Sequence, residues 1–501
     1  MSSIKSLAGQ TMWYGVSSIA ARFLNYLITP YLTNVLSSED FGKMSLVYAV
    51  LPFLNVLFTY GLETAFFRFS NKEENKKTIY NTTATSIIIS TFLLGFTLLI
   101  FHHQLANFAG IANYPELIKL SIVIIMIDTL SIIPFAKLRF DNRPRKYALI
   151  KLAGILAYIF FTFFFLSWCF VQVKKDPTCF WSHFVDIRRN PVYYIVLANL
   201  IQAIVTFVFL YKEILAIRFK IDIKLWKQII VYSMPLIIVG MGGVINETLD
   251  RIMLRWWVPG DIHFKETQVA IYSACYKLSI LISLFVQAFR MGAEPFFFKQ
   301  AGTENPQRTY ARVMKFFVII ISVMFLVVTL YLPVLKYFIA KKLWAGLGVV
   351  PILLLANIFL GIYYNLSIWY KLGNKTKAGA YITITGALIT ILINYLFIPR
   401  FGYVACAWAT FFCYGSMMVF SFVWGQKEYR VPYAWKKLCA YIVIAVILFF
   451  IQKSISSFIE NKMINLALGT VWLFVYLWFI TLVEKKELMK LPVIGKYFNK
   501  A

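Results

Sequence analysis

Long apolar runs separated by short polar joints recur from one end of this chain to the other, and they leave it few folds to adopt. A hydrocarbon core about 30 Å thick is crossed by about 20 apolar residues in a helix, and about fourteen stretches of that kind can be marked. They cover 11–35, 42–67, 80–101, 116–136, 147–171, 192–211, 228–256, 269–292, 314–335, 347–369, 378–398, 402–424, 438–452 and 463–483. Their length and continuity favour helices over barrel strands, which alternate over about ten residues. The expected fold is therefore all-α and polytopic, with about fourteen transmembrane helices. A composition of 60% hydrophobic and 14% charged residues over 501 positions is too apolar for a soluble protein of this length.

A net charge of +28 raises the thought of nucleic acid, but the distribution of the cations argues against it. With the N-terminus inside, Lys and Arg in the inner joints and tails outnumber those outside by roughly two to one, the positive-inside bias. The richest inner joints run from Lys137 to Lys146 and from Lys212 to Lys227. Both termini are expected in the cytoplasm, and the first segment is too long for the core of a cleavable signal peptide. The six cysteines show no CxxC spacing and read as packing residues, with Cys169 and Cys179 placed where they could meet outside as a disulfide. His102, His103, His183 and His263 fall in outer joints and read as surface histidines, so no metal site is expected. No P-loop is visible, and no cofactor is implied.

A second pattern divides the chain. Gly61-Leu62-Glu63-Thr64-Ala65-Phe66-Phe67-Arg68-Phe69 returns as Gly292-Ala293-Glu294-Pro295-Phe296-Phe297-Phe298-Lys299-Gln300. Ser45 and Tyr48 return as Ser273 and Tyr276, and Asn142-Arg143-Pro144-Arg145 returns as Asn374-Lys375-Thr376-Lys377. The three recur at offsets of 228 to 232 residues, the signature of an internal duplication. Two pseudo-symmetric six-helix bundles are expected, 1–220 and 221–430, entering the membrane in the same sense about an axis along its normal. Residues 431–501 hold the last two helices, an accessory pair, and a cytoplasmic tail.

Charges inside spans are costly and point to a cavity or a partner. Arg22 shares a helix face with Ser18, Asn25, Tyr26 and Thr29. Pro52, Asn55, Thr59 and Glu63 form a second polar stripe. The seventh segment carries Gly240-Met241-Gly242-Gly243 ahead of Asn246, Glu247, Asp250 and Arg251, and Glu247 and Arg251 stand one turn apart, able to pair. Lys277, Arg290 and Glu294 continue the theme on the eighth, and the duplication sets Arg22 near Asp250 and Arg251. Asp128 stands in an otherwise apolar run. Arg68, Arg290 and Lys299 also suit interfacial cations whose heads reach water. A cavity lined by Arg22, Asn25, Arg251 and Lys277 would attract an anion, because guanidinium forks match phosphate oxygens.

Phe41-Gly42-Lys43-Met44-Ser45-Leu46, Asp250-Arg251, Ile271-Tyr272-Ser273 and Glu294-Pro295-Phe296 resemble the polysaccharide-biosynthesis (oligosaccharide flippase) family. That family sits in the multidrug/oligosaccharidyl-lipid/polysaccharide exporter superfamily. The resemblance implies a flippase of the bacterial inner membrane that moves polyprenyl-diphosphate-linked glycan by alternating access, for O-antigen, capsule or exopolysaccharide. It is a transporter rather than an enzyme, with membrane lipid and other polysaccharide-assembly proteins as partners and no nucleic acid. Glu63, Glu247, Asp250 and Glu294 become the expected ion-coupling or gating groups. A tail groove on the last two helices is also implied.

The sequence leaves two other readings open. A cation-coupled multidrug exporter of the same superfamily usually has twelve helices and a cavity of carboxylates and aromatics. A membrane glycan polymerase or ligase would need larger outer loops than the longest here, 172–190.

Overall fold

The computed structural model describes residues 20, 22–70, 76–301, 304–373, 375–459 and 461–489, and among them there is no strand. Thirteen helices among these residues are long and apolar enough to cross a membrane. In chain order they are α1 Ser38–Ser70, α2 Lys76–Ile100, α3 Pro115–Phe140, α4 Pro144–Lys175 and α5 Pro191–Phe209. They continue with α6 Ile223–Trp257, α7 Ile262–Gln300, α8 Pro306–Leu330 and α9 Lys341–Leu372. The last four are α10 Lys377–Phe401, α11 Tyr403–Glu428, α12 Trp435–Ser456 and α13 Lys462–Val483. They match the second to fourteenth expected segments in order. Of the first expected segment, residues 11–19 and 21 lie outside the described residues, and the remainder is helical over 22–27 and Thr29–Val35. Helices such as α6 and α7 overrun their apolar stretches because backbone hydrogen bonding continues into the polar boundary, where hydropathy gives no signal.

Local chemistry sets the starts of these helices. Ser37 caps α1 by accepting the Asp40 N–H at 3.0 Å, and Glu39 and Asp40 place negative charge in its first turn. Asn190 accepts the Val192 N–H at 2.9 Å, with Pro191 opening α5. Asp222 caps α6 through the Leu225 N–H at 3.1 Å. Inside spans, Pro52, Pro134 and Pro235 sit in α1, α3 and α6, tolerated in lipid because neighbouring groups take up the freed carbonyls. Cys169 and Cys179, like the other four cysteines, are free thiols, so the outer disulfide does not form in this structure.

The chain falls into two compact units. The first holds the described residues up to Lys277 together with Lys342–Gly346 and Ala380–Cys413. The second holds Leu278–Lys341, Leu347–Gly379 and the described residues from Tyr414 onward. Each has its own core around one copy of the repeated motif. In the first unit Leu62, Ala65, Phe66, Ile79 and Tyr80 are buried together. In the second Ala293, Phe297, Tyr310, Ile368 and Val431 are.

Candidate functional site

The repeated glutamates each hold a cation. In the first unit the α1 residue Glu63 pairs with Arg139 at the end of α3. In the second unit the α7 residue Glu294 accepts from Lys371 of α9 at 2.5 Å, with the Arg290 Nε at 4.0 Å. Arg139 and Lys371 stand 232 residues apart, within one residue of the 231 between the glutamates, so the duplication carries the whole ion pair. The buried aromatics follow suit. Phe66 packs edge-on to Tyr80 at 6.4 Å, and Phe297 packs edge-on to Tyr310 at 5.2 Å. The Tyr80 hydroxyl donates to the Glu213 carbonyl at 2.6 Å and the Tyr310 hydroxyl to the Phe297 carbonyl at 2.9 Å. Of the interfacial cations, Arg68 lies over the Tyr232 ring at 4.2 Å and Arg290 over Tyr364 at 4.6 Å, while Lys299 is exposed.

The most buried charge among the expected site residues is Asp250 on α6, only 2% exposed. Its Oδ2 accepts the Tyr272 hydroxyl of α7 at 2.5 Å. Its Oδ1 accepts from Arg251 twice, from the backbone N–H at 2.8 Å and from Nη1 at 3.0 Å. Arg251 Nη1 also donates to the Glu247 carbonyl at 2.7 Å, and the guanidinium lies 4.5 Å from the Tyr276 ring centroid. One turn earlier Asn246 donates to the Thr383 carbonyl of α10 at 3.2 Å, beside Gly242, where a Cβ would meet the Thr383 methyl at 3.2 Å. The Cys406 thiol of α11 stands 3.7 Å from the Asp250 carbonyl. Within the first unit α6 and α7 thus supply the donors of the carboxylate, while α10 and α11 meet α6 beside it, at Asn246 and at the Asp250 backbone carbonyl.

At the first turns of α1 and α7 a second set of charges meets. Lys43, buried, donates to Asp40 at 3.1 Å and lies 3.7 Å from Glu266. Asn190 also donates to Asp40, at 2.7 Å. His263 meets Glu39 at 2.9 Å, and ligand atoms of Glu39, His263 and Glu266 lie within 4.8 Å of one another. Lys43 already supplies the positive charge beside Glu266. A Cβ on Gly42 would run into the Glu266 carbonyl, so the two backbones touch there.

The expected site residues are thereby partly gathered. Asp250, Arg251 and Lys277 form one neighbourhood, with Lys277 partly buried and within electrostatic reach of Arg251. Glu247 gives Arg251 its carbonyl, and Arg251's side-chain partner is Asp250 rather than the Glu247 carboxylate, which is exposed. Arg22 and Asn25 lie on another element, the helical stretch 22–27, both exposed. Asp128 is exposed on α3 and feels the charge of Lys151 on α4. Sequence reasoning missed Arg139, Lys371, Tyr272 and Thr383 as partners. For Arg139 and Lys371 the offset of the repeat was a usable signal. For Thr383, brought in from α10, there was none.

Comparison with known proteins places this geometry. A profile described as "Polysaccharide biosynthesis protein" matches residues 7–301, and the MatE profile matches 261–396. The structure resembles a lipid II flippase MurJ in an inward closed conformation, with a TM-score of 0.66 at 14% identity over 94% of this chain and 99% of the other. It also resembles a multidrug resistance MATE family transporter of the MOP superfamily in its inward-facing conformation, with a TM-score of 0.60 at 14% identity over 86% and 95%. The outward-facing form gives 0.55 at 14% identity over 87% and 96%. No curated protein sequence matches the chain. The multi-pass helical fold is of the class seen in the MurJ flippase and the MATE transporters. Within that class, the chain belongs to the polysaccharide biosynthesis protein family.

Proposed function

We propose that this protein is a flippase that moves polyprenyl-diphosphate-linked oligosaccharide across the bacterial inner membrane, for O-antigen, capsule or exopolysaccharide assembly. Two six-helix bundles, 1–220 and 221–430, alternate access to the cargo, and both termini lie in the cytoplasm. No catalytic step is assigned to it. Other polysaccharide-assembly proteins supply and consume the glycan. The observation that carries the reading is the Asp250–Arg251 neighbourhood, an ion pair sunk into membrane spans of a chain of this family.

The chemistry of that neighbourhood suggests how binding and coupling connect. Arg251 and Lys277 carry two positive charges against the two carboxylates Asp250 and Glu247. A diphosphate and the Asp250 carboxylate compete for one guanidinium, so protonating Asp250 releases Arg251 to the anion. Arg22 and Asn25 contribute to the same cargo path, and Glu63 and Glu294 act in gating, each within its own unit through its own cation partner. In the second unit, an apolar cavity of about 400 Å³ has Phe359, Met418, Phe422, Leu438 and Ile442 in its walls. Its α12 side supports a place for the lipid tail, and α13 contributes no lining residue among those described.

The test is the surface glycan of cells carrying Arg251→Ala or Arg22→Ala at wild-type protein levels. Loss of glycan in both is expected, and normal glycan in both removes them from the path. The MatE match over 261–396 favours a multidrug exporter as second reading. Cells lacking the protein that keep their glycan but lose drug resistance would decide for it.

A further inference from the structure

A cavity of about 720 Å³ opens in the first unit, away from Asp250, where α1 and α3 end and α2 begins. Lys76, Lys77, Lys137, Arg218 and Lys220 contribute to its lining, against the single described carboxylate Asp141. Among the described residues the neighbouring acids are engaged: Glu213 is held by Lys146 at 2.7 Å and Glu63 by Arg139. Burial of an anion here therefore meets a net positive wall.

The wall is also fixed in shape. The Arg218 N–H donates to Asn81 Oδ1 at 3.0 Å and the Asp222 N–H to Thr82 Oγ1 at 3.1 Å, pinning the connection before α6 onto α2. The Lys137 ammonium sits 4.3 Å from the Tyr80 ring centroid and that of Lys76 5.1 Å from Phe140. These contacts hold the cations facing the cavity without neutralising them.

The same connection turns large apolar side chains outward. Leu215 is 79% exposed, Phe219 73% and Ile223 64%, interleaved with Arg218 and Lys220. A soluble anion would offer nothing to these groups. A bilayer offers both phases at once, acyl chains for Leu215 and Phe219 and phosphates for the lysines, at the level where three spans begin or end. We propose that this cavity binds the phosphate of an anionic phospholipid headgroup, a lipid site separate from the Asp250–Arg251 neighbourhood and independent of what the protein transports.

The purified full chain in zwitterionic detergent is titrated with phosphatidylglycerol, with phosphatidylcholine and with inorganic pyrophosphate. Alongside it run the K76Q/K77Q/R218Q/K220Q variant and a control, K174Q/K175Q/R188Q/R189Q, that removes as many exposed cations elsewhere. Phosphatidylglycerol is expected to bind in preference to phosphatidylcholine, and about tenfold more weakly to the first variant, with the control close to wild type. Equal losses in the two variants, or no loss in the first, overturn the site. Pyrophosphate that displaces the lipid at equal phosphate concentration overturns the lipid assignment in favour of a soluble anion. Retention of the wild-type unfolding temperature by the first variant excludes misfolding as the cause of its loss.

Discussion

The segments around Glu63 and Glu294 each carry a glutamate held by a cation, Arg139 in one and Lys371 in the other, beside a buried phenylalanine, yet the backbone beneath them differs. In the first copy Tyr60 and Gly61 both take positive φ, 33° and 73°, and the helix breaks before restarting at Leu62. In the second, Gly292 lies inside the uninterrupted α7. Gly61 is pressed against Leu236, whose Cβ would lie 2.9 Å from an added Cβ, whereas nothing lies within 4 Å of one at Gly292. Duplication has preserved the side-chain pair and let the hinge diverge. The ion pair is thus common to both halves, and the kink belongs to the first alone.

Three measurements sharpen or break that contrast. The largest effect is expected at Gly61→Ala, which meets both a left-handed φ and Leu236, and should cost about 1–3 kcal/mol. The unfolding midpoint of the purified protein reports it, and an unchanged midpoint means the kink relaxes freely. Next comes charge reversal. Arg139→Glu opposes Glu63 and should lose about 1 kcal/mol, a modest figure for half-exposed groups, with recovery in the Glu63→Arg, Arg139→Glu double variant. Lys371→Glu should lose less, since Glu294 retains Arg290 at 4.0 Å. Equal losses in the two copies would mean that Arg290 gives no support. The smallest effect, and of opposite sign, is Gly292→Ala, which should raise stability by up to about 1 kcal/mol as an unobstructed helix interior.

The spans were legible because crossing a membrane constrains composition alone, and thirteen of the expected segments return as helices. The repeated glutamate was legible for the same kind of reason, as a pattern at fixed offset. The kink was not, because Gly61 and Gly292 look alike in sequence and only the contact with Leu236 separates them. At the candidate site, one-turn spacing suggested Glu247 for Arg251. Asp250 is the partner instead: its carboxylate is 2% exposed and needs donors, whereas that of Glu247 is exposed. Tyr272 completes the carboxylate from 22 residues away, a pairing set by the packing of α6 on α7.

The touching backbones at Gly42 and Glu266 bear on how the first unit can move. Side chains between helices act as a compliant layer that lets them slide, and at Gly42 that layer is missing. Lys43 locks the same level through Asp40 and Glu266. The start of α1 and the start of α7 are thus joined like the two arms of a pair of shears at the rivet: translation is blocked, and any opening grows with distance from that point.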